Sequence, residues 1–106
     1  MPKYLFSGSY TQEGVKGLLK EGGSARRTAI EGLIKGMGGS VEAFYFAFGA
    51  DDVYVIVDLP NQTTATALSL AVAASGAIQL STVVLFTPEE LDEAAKKTVH
   101  YRPPGQ

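Results

Sequence analysis

The segment from residue 41 to residue 60, VEAFYFAFGADDVYVIVDLP, constrains the fold of this chain more than any other. Two runs rich in aromatic and β-branched residues, 41–48 and 53–59, flank a short stretch that contains glycine and aspartate. Such a pattern is typical of a β-hairpin. The segment therefore predicts two neighbouring antiparallel strands.

The register of this hairpin follows from the position of its turn. A tight turn at Ala50-Asp51 pairs Gly49 with Asp52 and Phe48 with Val53. A four-residue loop from Gly49 to Asp52 gives the same register. One face of the hairpin then carries almost only phenylalanine and valine, and we expect it to lie under the helices. The opposite face carries these residues: Ala43, Tyr45, Ala47, Tyr54, Ile56 and Asp58.

This second face predicts an assembly, because monomers rarely expose large contiguous apolar patches. We expect a symmetric homodimer, or a higher homo-oligomer, in which two sheets pack face to face. Tyr45, Tyr54 and Asp58 would then border the space between subunits. The alternative is a monomer whose C-terminal helix folds over the same face.

The other elements follow from helix caps and hydrophobic periodicity. We predict four strands, at 3–10, 41–48, 53–59 and 77–86. A helix begins at Thr11, breaks at 21–23 and resumes with Ser24 as its cap, and a second helix covers 62–75 with Asn61 as its cap. The last helix runs from Thr87 to about 97, with Glu90 in a capping box. This order is the ferredoxin-like βαββαβ pattern plus a C-terminal helix, an α+β fold with the helices on one face of an antiparallel sheet. We expect a single domain, 1–106, with an irregular tail at 98–106.

The composition excludes several kinds of site. The chain has no cysteine and one histidine, so it has neither a disulfide nor a thiolate or multi-histidine metal site, and we expect no metal and no cofactor. Its net charge is −2, without a basic cluster, which predicts no nucleic-acid partner. Neither a signal peptide nor a membrane span is evident, so we expect a cytoplasmic protein without membrane attachment.

Several segments together resemble the GYD domain family. They are GSYTQEG, the double glycine before the second strand, FYFAFGADDVYVIVDLP, ALSLAVAASGAI and LFTPEEL. Gly49 and Asp52 match the glycine and aspartate of the family's Gly-Tyr-Asp type signature, whereas Asp51 stands where an aromatic residue is usual. The resemblance implies a small bacterial protein of undefined biochemical function, with a ferredoxin-like fold similar to dimeric α+β barrels.

Five residues are candidates for ligand binding: Tyr10, Arg26, Tyr45, Asp52 and Tyr54. Tyrosines offer aromatic walls and a hydroxyl, although the same residues can also lie at a subunit boundary. Arg26 can hold an anion at a helix start, or it can pair with Glu21 or Glu31 on a solvated face. Asp51 and Asp52 can act as an acid pair, or they can serve only the turn.

Three functions remain compatible with the sequence. The first is a homo-oligomeric module that binds a small, partly apolar molecule near the tyrosines and Arg26. The second is a cofactor-free enzyme, like the monooxygenases and muconolactone-isomerase-like proteins that share this fold, with Asp52 or His100 transferring a proton on a small aromatic or lactone-type metabolite. The third is a purely structural oligomer. The sequence contains no identifiable catalytic residue set, and fold likeness alone is a weak guide to function.

Overall fold

The computed structural model describes all residues from Met1 to Gln106 and has an α+β architecture. Its elements are β1 (Lys3–Tyr10), α1 (Gln12–Glu21), α2 (Gly23–Gly36), β2 (Ser40–Phe46), β3 (Val53–Asp58), α3 (Gln62–Ala74), β4 (Ile78–Leu85) and α4 (Pro88–Ala95). The strands form one antiparallel sheet in the order β2-β3-β1-β4. This is the order of a ferredoxin-like fold, which confirms the predicted fold class.

The helix starts agree with the predicted caps, with one exception. The side chains of Thr11, Asn61 and Thr87 each accept a hydrogen bond from a backbone N–H of the first turn, and Glu90 completes the capping box. The prediction that Ser24 caps α2 is wrong, because α2 begins at Gly23 after Gly22. Gly22 has a φ of 91°, which glycine adopts readily, and its N–H bonds to the Leu18 carbonyl oxygen. One glycine therefore ends α1 and precedes the first residue of α2.

The predicted hairpin register is wrong by two residues. Phe46, not Phe48, pairs with Val53, and the N–H of Ala47 donates to the Asp52 carbonyl oxygen at 2.7 Å. Phe48 lies in the loop and is fully exposed. Because side chains alternate between faces with a period of two, an even shift leaves the composition of each hairpin face nearly unchanged.

The hairpin also contains a β-bulge at Glu42, which the sequence did not reveal. Ala43 pairs with Ile56, but Val41 pairs with Val57, so one extra residue of β2 lies between these pairs. The extra residue moves Val41 to the helix-covered face, where it packs against the core. The predicted register, continued along both strands, would pair Glu42 with Leu59, and this pairing is not observed.

The core lies between the sheet and the helices. The most buried large side chains are Ile34 of α2, Val57 of β3 and Leu59 just after it. Two glycines allow close backbone contacts here: a Cβ at Gly14 would overlap the carbonyl group of Ala77, and a Cβ at Gly39 would overlap that of Asp58. The complete set of buried apolar residues is Tyr4, Phe6, Ile34, Val53, Val55, Val57, Leu59, Ala65 and Leu68.

The opposite face of the sheet and the C-terminal arm, defined as residues 86–106, leave apolar groups open to solvent. Tyr45 is 69% exposed and Val83 is 45% exposed on that face. Every residue of the arm is exposed, including Phe86 and Leu91, and α4 packs against no other element to a substantial degree. The chain as a whole measures 55 × 33 × 23 Å. None of the helices combines the length and the apolarity that a membrane crossing requires.

Candidate functional site

A cavity of about 770 Å³ lies between the sheet and the helices. It exists because the helices cover opposite edges of the sheet: α2 packs mainly on β2, whereas α3 packs mainly on β4. Between the two helices, the helix-facing sides of the central strands β1 and β3 contribute to the lining of the cavity. This volume is in the range that holds small molecules in proteins.

The walls of the cavity are mostly apolar, since 18 of its 24 lining residues are hydrophobic. Phe6 and Val55 form part of the floor on β1 and β3. Ile30 of α2 and Val72 of α3 line opposite sides. Such a surface favours a ligand that buries hydrocarbon or an aromatic ring.

Polar side chains lie at one end of the cavity, where β1 ends and α2 begins. Tyr10 is the last residue of β1, Glu21 is the last residue of α1, and Arg26 lies in the first turn of α2. Arg26 Nη1 is 3.9 Å from Glu21 Oε2, which supports the predicted alternative that Arg26 pairs with Glu21. We call Tyr10, Glu21 and Arg26 the polar end.

Tyr10 keeps its proton at neutral pH. Burial raises the pKa of its phenol above 10.0, the value for a free tyrosine, while the neighbouring Arg26 guanidinium opposes this shift. The phenol is therefore a neutral group that can both donate and accept a hydrogen bond. Tyr10 contributes to the lining of the cavity.

Asp52 holds the hairpin loop on β1 rather than lining the cavity. Its Oδ2 accepts a hydrogen bond from the Tyr10 N–H at 3.0 Å, and its own N–H donates to the Gly8 carbonyl oxygen at 2.7 Å. Ser9 Oγ adds a 2.7 Å hydrogen bond to the Ala50 carbonyl oxygen. The carboxylate thus fixes the backbone of Tyr10, and Asp51 lies in the loop.

Tyr45 and Tyr54 lie on the far side of the sheet from the cavity. They are direct cross-strand partners and are 69% and 39% exposed. The expectation that all three tyrosines lie near one bound molecule therefore does not hold. Tyr10 and Arg26 line the cavity, whereas Tyr45 and Tyr54 lie on the face from which the homodimer was predicted.

The remaining proton-transfer candidate, His100, is exposed in the tail. No group of three or more His, Cys, Asp or Glu side chains is placed to hold a metal ion. Sequence reasoning missed the walls formed by α3, of which Leu68 and Val72 are examples. Their four-residue spacing was a usable signal, but the spacing does not show how far α3 stands from α2.

The chain was compared with protein-family models, curated proteins and solved structures. A family model described as GYD domain matches residues 4–95, from β1 to the last residue of α4. No curated protein and no solved structure matches the chain significantly.

Proposed function

This chain belongs to the GYD domain family, and we propose that it is a homo-oligomeric module that binds a small, largely apolar molecule. The observation that carries the proposal is the cavity of about 770 Å³, which is mostly apolar and has Tyr10 and Arg26 among its few polar lining residues. An apolar body would fill the cavity, and Tyr10 and Arg26 would orient its polar group.

The proposal contains no catalytic step. Asp52 does not line the cavity and already accepts the Tyr10 N–H, and His100 lies in the exposed tail. A general acid or base must lie within hydrogen-bond reach of the group that it protonates or deprotonates. Support for an enzyme would require a substrate that brings one of these residues to the cavity.

The homo-oligomer is proposed from the sheet face that carries Tyr45 and Tyr54. Leu5 pairs with both Ile56 and Val83, so its neighbours form one continuous surface across β3, β1 and β4. The simplest way to bury this surface is contact with the same surface of a second copy, because a twofold axis brings identical surfaces together. The cavity lies on the other face of the sheet and stays open in such an arrangement.

A neutral fluorescent probe, Nile red, tests the binding role. We expect its emission to rise and shift to shorter wavelength with the wild-type protein. The substitution Ala71→Phe places a ring at a lining position, so it should weaken this binding about tenfold or more by excluded volume. Ala73→Phe is the matched control, because Ala73 lies on the same helix, is exposed and does not line the cavity.

The probe can also adhere to the exposed sheet face, so Tyr45→Lys is measured in parallel. Binding that survives Ala71→Phe but disappears with Tyr45→Lys would contradict a ligand site in the cavity. The same result would place the apolar surface that binds the probe on the opposite side of the sheet.

A further inference from the structure

We propose, on the basis of the binding role proposed above, that the cavity selects a neutral ligand: an apolar body with one hydroxyl, carbonyl or amide group. Tyr10 is the specificity-determining residue, and ionised molecules of the same size are disfavoured. The proposal names a ligand class that neither the fold nor the family match specifies.

The charges at the polar end already have partners within the chain. Arg26 Nη1 is 3.9 Å from Glu21 Oε2, and Glu13, which also lines the cavity, has its Oε1 3.6 Å from Lys16 Nζ. An anionic head group at Arg26 would lie close to the Glu21 carboxylate, and a cationic head group at Glu21 would lie close to Arg26. The polar end therefore offers no unpaired positive or negative side chain to a charged ligand.

The apolar walls add a second penalty for an ionised ligand. With 18 of 24 lining residues hydrophobic, the cavity offers few dipoles to replace the water around a charged group. Moving a charge from water to such surroundings without a free partner costs far more than moving a hydroxyl or amide that keeps one hydrogen bond. The walls therefore favour a neutral ligand over an ionised ligand of the same size and shape.

Tyr10 supplies that one hydrogen bond. Its side-chain hydroxyl interacts with the Arg26 guanidinium, which can only donate and so leaves the phenol proton available to a ligand, whereas its backbone N–H is held by Asp52. A phenol can donate to a carbonyl or accept from a hydroxyl, and burial keeps this phenol protonated by raising its pKa. The hydrogen bond from the Tyr10 N–H to Asp52 fixes the backbone of Tyr10, so the phenol side chain starts from a defined position at the end of β1.

The test uses three naphthalene compounds that differ only at one substituent. They are 2-naphthalenemethanol, 2-naphthoate and 2-methylnaphthalene, and their affinities are measured by displacement of Nile red at pH 8, where the acid is fully ionised. We expect the alcohol to bind at least about tenfold more tightly than the carboxylate.

Two substitutions separate the roles of the polar residues. Tyr10→Phe should weaken the alcohol about fivefold and leave 2-methylnaphthalene unchanged, because only the alcohol loses a hydrogen bond. Glu21→Gln should strengthen 2-naphthoate about fivefold by freeing the Arg26 guanidinium. Glu31→Gln, on the exposed surface of α2 and outside the cavity lining, is the matched control and should change neither affinity.

The possible results separate this inference from the binding role itself. If 2-naphthoate displaces the probe more tightly than the alcohol, or if Tyr10→Phe weakens all three compounds equally, ligand selection by neutrality is overturned while the cavity site stands. If none of the compounds displaces the probe and Ala71→Phe leaves probe binding unchanged, both proposals are overturned.

Discussion

Oδ2 of Asp52 accepts a hydrogen bond, 3.0 Å long, from the backbone N–H of Tyr10, and this contact joins the hairpin loop to the strand that carries the cavity phenol. The acceptor is a charged group, and such hydrogen bonds are stronger than neutral ones. The contact holds the hairpin loop on the end of β1 and fixes the backbone of Tyr10.

The first prediction concerns this contact. Asp52→Ala should lower the free energy of unfolding by about 1–2 kcal/mol, because it removes a charge-assisted acceptor from a backbone donor. Urea denaturation followed by circular dichroism measures the change. Asp51→Ala is the control: Asp51 receives only a 3.3 Å bond from Ser9 Oγ, so the change should stay within about 0.5 kcal/mol. Equal losses for the two variants would contradict the anchoring role of Asp52.

The second prediction concerns the close approach of α1 to the start of β4. Gly14→Ala should destabilise the fold by about 1–3 kcal/mol, because the new methyl group overlaps the Ala77 carbonyl group and the backbone must move. Gly17→Ala, on the same helix with nothing within 4 Å of its added Cβ, should stabilise by about 0.5–1 kcal/mol. Thermal denaturation of the pair measures both effects, and a stable Gly14→Ala variant would show that this contact is looser than described.

The third prediction concerns the exposed sheet face. Wild-type protein at micromolar concentration should sediment with at least twice the mass of one chain, and Tyr45→Lys should reduce this to one chain by placing a charge in the interface. Leu70→Lys is the matched control, since Leu70 is 67% exposed and Tyr45 is 69% exposed, but Leu70 lies on α3. A wild-type mass equal to one chain would exclude the proposed homo-oligomer.

The fourth prediction concerns the C-terminal arm. Removing residues 87–106 should change the free energy of unfolding by less than about 0.5 kcal/mol, because every residue of this segment is exposed. Urea denaturation at two protein concentrations checks it. A loss above about 1 kcal/mol would show that the arm packs on the body of the chain or on a second copy, and a dependence of that loss on protein concentration would identify the second copy.

The fifth prediction concerns the titration of Tyr10. Its pKa is raised in the folded state, so the resulting stability is present below pH 10 and is lost as the pH rises through the folded pKa. Ultraviolet difference titration of wild type against Tyr10→Phe isolates this phenol from the other tyrosines. We expect its tyrosinate absorbance to appear above pH 10, and the wild type to lose stability relative to Tyr10→Phe in that range. A titration at or below pH 10 would contradict the burial of the phenol.

The sequence alone determined which elements form and where most helices begin. Thr11, Asn61 and Thr87 act as caps through contacts within three residues, so tertiary structure does not have to be known to predict them. The separation of apolar side chains between the two hairpin faces is equally local. It was predicted correctly although the register was wrong by two residues, because side chains alternate between faces every two residues.

Only the tertiary structure decided the register, the location of the tyrosines and the existence of the cavity. The longer loop that replaces the predicted tight turn is held on β1 by Asp52, which bonds to Gly8 and Tyr10, and these two residues are more than forty positions away in the sequence. Tyr10 lines the cavity while Tyr54 does not, because the two side chains leave opposite faces of the sheet. The cavity itself depends on the distance between α2 and α3, which is set by packing over opposite edges of the sheet and not by the residue pattern of either helix.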